Sequence, residues 1–247
     1  MRPASATIDL AALRHNLAQA RERAASAKVV AVVKAQAYGH GATRVLPALA
    51  GAEMLGVACI EEALDLRAAG ARQPILLLEG VFEADELPLC AKGGFEIAVH
   101  EPGQVRMLEA ARLERPLVAW LKIDSGMGRL GFRPEAARAV WQRLADCAAV
   151  ATGVRLMSHF AGADEPGDEG TPRQIARIEA LDLPGERSLC NSAGVLAWPQ
   201  AHKDWVRPGI MLYGVSPISG RTGPEEGLRP VMTLATRLIA VKEMRKG

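Results

Sequence analysis

Eight short apolar runs, rich in β-branched residues and separated by stretches of helical periodicity, constrain this chain more than any other feature of its sequence. They are residues 29–33, 55–59, 75–78, 95–99, 117–123, 154–158, 188–190 and 205–212. Strands that are apolar throughout have both faces covered, so intervening helices imply parallel pairing. Helical patterns fill the gaps at 60–69, 102–112, 134–146 and 171–181. Several open on proline, whose missing N–H costs nothing at a helix start. An open doubly wound sheet shows the same alternation, but the G-x-G-x-x-G turn after the first strand is absent. The expected fold is therefore α/β, a TIM-type (β/α)8 barrel, and 247 residues suit one such barrel.

Around that core, an amphipathic helix capped by Asp9 is expected through about residue 26. Residues 217–230, rich in Gly and Pro, read as a linker, and residues 231–244 as a strand with no following partner. The 30 basic and 28 acidic residues are scattered and leave a net charge of +2, so no nucleic-acid face is expected. No apolar run approaches the ~18 residues of a membrane span, which removes a membrane as partner. Cys59, Cys90, Cys147 and Cys190 form no C-x-x-C pair. A metal site is not expected, and the cysteines read as reduced and cytoplasmic.

Barrel chemistry is sought just after the strand C-termini. Lys34 ends the first strand, where its partly desolvated amine suits an imine with an aldehyde cofactor. Taken alone it reads more simply as a lysine snorkelling at a strand end, so its neighbours decide. Tyr38 offers a hydroxyl to a phosphate, or an aromatic ring packing at the rim. The eighth strand carries Arg207, Gly209 and Ile210 where barrels bind phosphate, with a solvated arginine at a turn as the alternative. His159 ends the sixth strand, where it can stack on a flat ring, take part in acid–base work or, as a lone histidine more often does, serve as a satisfied structural residue. Asn191 and Ser192 open a short helix, as an anion cradle or a plain N-cap. After the fifth strand, Arg129 presents a planar fork suited to a carboxylate and Lys122 lies close by, although Lys122 and Asp124 could equally form a structural ion pair.

Together the segments Lys34-Ala-Gln-Ala-Tyr38-Gly-His-Gly41, Lys122-Ile-Asp-Ser-Gly-Met-Gly-Arg129-Leu-Gly, Ser-His159-Phe, Asn191-Ser192 and Arg207-Pro-Gly209-Ile210-Met-Leu-Tyr213-Gly resemble the alanine racemases, in family order and over essentially the whole chain. The resemblance implies pyridoxal 5′-phosphate (PLP) as cofactor and alanine as small-molecule substrate. Lys34 would be the cofactor lysine and the acid–base on one face of the substrate. It implies Arg207 at the pyridine nitrogen, His159 supporting the ring beside Asn191, and Tyr38, Ser192, Gly209 and Ile210 on the phosphate. Arg129 would meet the substrate carboxylate, held by a carbamylated Lys122.

The family pairs such a barrel with a C-terminal β domain in a homodimer, and the opposite-face base is a tyrosine from that domain of the partner. Only Tyr38 and Tyr213 occur here, both in barrel motifs. The expected division is thus 1–215 as barrel and 216–247 as linker and first strand of a truncated second domain. Racemisation by these residues alone is expected to be absent or feeble. A non-catalytic PLP-binding barrel, or a racemase of another amino acid, are the competing readings. Gln36 stands where the family usually has Asn or Asp, which raises the question of how this loop packs.

Overall fold

A computed structural model describes residues 3–244, so the outermost residues of both expected spans lie outside it. The chain opens with β1 (Ser5–Ile8) and α1 (Leu10–Ala24). Asp9 caps α1 by accepting from the Ala11 and Ala12 amides, and those bonds hold its carboxyl below the usual range. The buried stripe Leu13, Leu17, Ala20 and Ala24 follows helical spacing. Next come β2 (Lys28–Val32), two short helical turns α2 (Lys34–Gly39) and α3 (Ala42–Val45), then β3 (Met54–Val57), α4 (Ile60–Ala68), β4 (Ile75–Leu77), α5 (Glu86–Gly93) and β5 (Phe95–Val99). The second half runs α6 (Pro102–Ala110), β6 (Ala119–Lys122), α7 (Pro134–Ala145), β7 (Arg155–Met157), α8 (Gly170–Glu179), β8 (Arg187–Ser188), α9 (Ser192–Ala197) and β9 (Trp205–Val206), with β10 (Met232–Ala235) near its end.

Strands β2 to β9 pair in parallel, each with the next, and β9 returns to β2, closing the eight-stranded barrel that the alternation predicts. Val30, Met54, Leu76, Ala98, Trp120, Met157 and Trp205 fill its interior, while residues such as Val29 and Ala31 point outward under the helices. That is the period-two division of a barrel strand.

Three expectations need correction. The eighth strand stops at Val206: Pro208 has no N–H for a ladder, and residues Ile210–Tyr213 wind into a 3₁₀ turn. The segment 217–230 is no loose linker. The fully buried Asn16 donates to the Leu212 and Arg229 carbonyls and accepts from the Arg229 amide, and Leu228 is buried beside it. The tail strand is shorter than 231–244 and has a partner, pairing antiparallel with β1 from Ser5 opposite Ala235 to Ile8 opposite Met232.

The N-terminal mouth of the barrel is closed by charge. Arg155 bonds Glu96 at 2.6 Å and Glu186 at 2.8 Å, with its guanidinium over the rings of Trp120 and Trp205. Each indole N–H donates to one of the same carboxylates, and Lys28 joins Glu186. Burial pushes the Glu186 carboxyl up, but the bonds from Lys28 and Trp205 and the charge of Arg155 outweigh it and hold it low.

Candidate active site

The opposite mouth opens into a cavity of about 590 Å³, and all ten site residues expected from the sequence line it: Lys34, Tyr38, Lys122, Arg129, His159, Asn191, Ser192, Arg207, Gly209 and Ile210. The barrel brings them together because each follows or ends a strand at its C-terminal edge. Glu79, Asp164, Leu78 and Met157 also line it, and none of these carried a sequence signal of its own.

Lys34 lies directly beyond β2 and begins α2, which is left-handed. Ala35, Gln36, Ala37 and Tyr38 all have φ between 52° and 55°. L-residues pay roughly 1–2 kcal/mol each for that conformation, and a run of four is rare outside sites that require it. The turn swings the Tyr38 hydroxyl against Gly209, where a Cβ would sit 2.4 Å from the phenol oxygen, so glycine is required there. Burial of that end of the ring raises the phenol pKa. The Gln36 side chain is exposed and accepts weakly from the Ala42 amide at 3.4 Å, although its backbone shares the left-handed strain.

Ser192 opens α9 with Asn191 as N-cap, and its hydroxyl accepts from the Gly209 amide at 2.8 Å and from Met211. Among the described residues the Ile210 amide has no partner, so phenol, hydroxyl and amide converge as an anion cradle.

Arg207 is buried and donates to the Ser188 carbonyl and hydroxyl and to the Ser158 carbonyl. Burial without an acidic partner pushes it down to about 10, still protonated at neutral pH. His159 is pushed down to about 3, chiefly by burial and then by Arg207, Arg129, Lys122 and Lys34, and Asn191 lies 3.4 Å from its Nε2. It is a neutral imidazole, suited to stacking on a flat ring.

Lys122 ends β6, is buried, and is pushed down to about 8 by desolvation and then by Arg207 and Arg129. The ion pair with Asp124 does not form. Asp124 instead accepts from the Gly126 and Gly128 amides and shapes the loop that carries Arg129. Gly131 closes this loop at φ 127°, where a Cβ would meet the Asp124 amide at 2.5 Å. Behind the loop, Gln174 on α8 donates to Ser125 and the His159 carbonyl and accepts from Ala161, while Ser125 meets Ser158 at 2.7 Å. This buried network joins the His159 and Arg129 loops.

The donor set fits PLP: an amine for its aldehyde, a phenol, hydroxyl and free amide for a phosphate, and a buried cation and neutral imidazole for the ring. Comparison with known proteins agrees. Residues 8–217 match the family model for the alanine racemase N-terminal domain. The whole chain is 51% identical to an alanine racemase of Yersinia pestis, covering 69% of it, and 50% identical to the biosynthetic alanine racemase of Escherichia coli K12, covering 70%. The crystal structure of the biosynthetic alanine racemase from Pseudomonas aeruginosa superposes with a TM-score of 0.91 at 48% identity, over 95% of this chain and 66% of that one. The chain thus spans about two thirds of these relatives' length. On fold, cavity and sequence alike, it belongs to the alanine racemase family of PLP-dependent isomerases.

Proposed function

We propose that these residues form the cofactor-binding half of an enzyme that interconverts L- and D-alanine. One observation carries the reading: Lys34, Lys122, Arg129 and Arg207 share one cavity, and none has an ion-pair partner among the described residues. Cations held outside ion pairs are costly unless an anionic ligand meets them, and Glu79, which lines the same cavity, offsets Lys122 only in part. PLP, when bound, supplies an electron sink that acidifies the substrate Cα–H.

The chain's own residues then divide the work. Lys34 would hold the cofactor through its aldehyde and, once the substrate's amine has displaced it, its freed amine would carry the proton on one face of Cα. Tyr38, Ser192, Gly209 and Ile210 hold the phosphate. Arg207, as a protonated cation, would donate to the pyridine nitrogen, which would keep that nitrogen unprotonated and restrain side reactions. His159, beside Asn191, stacks on the ring. Arg129 binds the substrate carboxylate, which favours an amino-acid substrate over a passive PLP carrier.

Burial and the charges of Arg207 and Arg129 push the Lys122 amine down to about 8, so its neutral form can add CO₂, release a proton to water and become the anion that would orient Arg129. With ¹³C-bicarbonate, a carbamate carbon signal should grow between pH 7 and 9 and vanish in Lys122→Arg. A pH-independent or absent signal would remove this role.

Racemisation needs a second base on the opposite face. Tyr213 is buried, donates to the Val32 carbonyl and has its pKa raised by burial, and Tyr38 is committed to the cradle. We therefore assign the second base to a residue outside this set, brought by the partner of a homodimer. No described helix is long and apolar enough to cross a membrane, and four unpaired cysteines support a cytoplasmic setting. The test is borohydride reduction of the chain with PLP, followed by peptide mapping. The label should fall on Lys34, with racemisation feeble; label on another lysine, or brisk racemisation by these residues alone, would contradict the scheme.

A further inference from the structure

The left-handed turn α2 poses a physical question: four consecutive L-residues at positive φ persist only when their surroundings over-determine them. Within the segment, the Ala37 amide bonds the Val33 carbonyl and the Gly41 amide bonds the Gln36 carbonyl. The Ala35 amide, which belongs to the peptide bond of Lys34 itself, is held from outside. It donates at 2.6 Å to one carboxylate oxygen of Glu62, 27 residues further along.

Glu62 is the third residue of α4, whose N-cap is Cys59. A glutamate at that place ordinarily folds back on the N-cap amide and does no more. Here its other oxygen reaches one residue beyond the cap, to the Ala58 amide at 2.9 Å. One carboxylate therefore spans the end of the β3 loop, the start of α4 and the backbone of Lys34. It fixes the peptide plane from which the Lys34 side chain departs, at the start of a turn whose far end sets Tyr38 against Gly209.

We propose that Glu62 is a positioning residue for Lys34, acting through the backbone of the left-handed turn. The proposal rests on Lys34 being the cofactor lysine, as assigned above. Glu62→Gln keeps the shape but turns an NH₂ donor toward one of the two amide donors. Gln36→Gly removes a side chain that disfavours the left-handed backbone, so it should compensate for a lost tether.

The test compares the unsubstituted chain, E62Q, Q36G and the double variant for PLP affinity, the rate of borohydride labelling at Lys34 and the pH midpoint of the visible absorbance of bound PLP. E62Q is expected to weaken PLP binding by about tenfold, the scale of one hydrogen bond to a charged group, and to move the pH midpoint. Adding Q36G should recover most of both. If E62Q lowers only the melting temperature and leaves affinity, labelling rate and midpoint unchanged, Glu62 is a helix cap and the proposal fails. A defect that Q36G does not relieve overturns it too, because the turn is then not the route. Should E62Q not fold, Glu62→Asp carries the same comparison, since it keeps the charge but cannot span both amides. Absence of label on Lys34 in the unsubstituted chain would defeat the lysine assignment first and this inference with it.

Discussion

At the N-terminal mouth of the barrel Arg155 meets two carboxylates and two indole faces, whereas at the C-terminal mouth four cations line one cavity with no ion pair among the described residues. Both ends rest on the same strands: Trp120 and Lys122 belong to β6, Trp205 and Arg207 to the β9 segment. The chain can therefore neutralise charge within the barrel, and does so where no ligand is needed. The difference teaches that the upper cations are held outside direct ion pairs, where a ligand can reach them, at the expense of stability. It also explains Arg207, which is held in place by two carbonyls and one hydroxyl, all neutral, and so keeps its full charge.

The contrast can be broken at either end. Lys34→Ala should abolish the covalent label and weaken PLP binding about 10³-fold, roughly 4 kcal/mol, without lowering the melting temperature of the ligand-free chain. A marked loss of stability would mean that the upper mouth is built for folding as well. Arg155→Ala should do the reverse. It leaves Glu96 and Glu186 without their shared cation and is expected to cost about 3 kcal/mol in denaturant unfolding, with PLP affinity unchanged. Weakened PLP binding in that variant would show the two ends to be coupled.

Smaller effects sharpen the picture. His159 has a folded pKa of about 3 against an unfolded value near 6.5, so between these values the unfolded chain binds the extra proton and stability rises with pH. His159→Phe should flatten that acid limb, by up to about 1.4 kcal/mol per pH unit in ligand-free protein. An unchanged slope would place the acid sensitivity in groups other than His159. Gln36→Gly should stabilise the ligand-free chain by about 1 kcal/mol, because it lifts one of the four left-handed penalties. A destabilised variant would show that the unfolded chain's added freedom outweighs the strain.

The barrel was legible because strands buried on both faces become unbroken apolar runs, as in 29–33 and 95–99. The same signal misled at 205–212, since an apolar run does not distinguish a strand from a buried 3₁₀ turn, and the Pro208-Gly209 break was the available warning. The ten cavity residues were readable from their positions at strand ends. The left-handed turn was not: alanine and glutamine give no hint of positive φ, and asparagine at position 36 would have suggested it. Glu62 and Gln174 were equally hidden, because each bonds backbone groups of segments far away in sequence, which no local pattern encodes.

The pairing of β1 with β10 has a consequence in time. Thr7 and Thr233 lie opposite each other across 225 residues of intervening chain. At a synthesis rate of about 5–20 residues per second, β1 waits roughly 10–45 s on the ribosome before its partner exists. During that interval its edge is open, Asn16 lacks Arg229, and the growing chain must be shielded from pairing with a neighbour. Ligand chemistry thus sits on a barrel whose first strand is among the last to be secured.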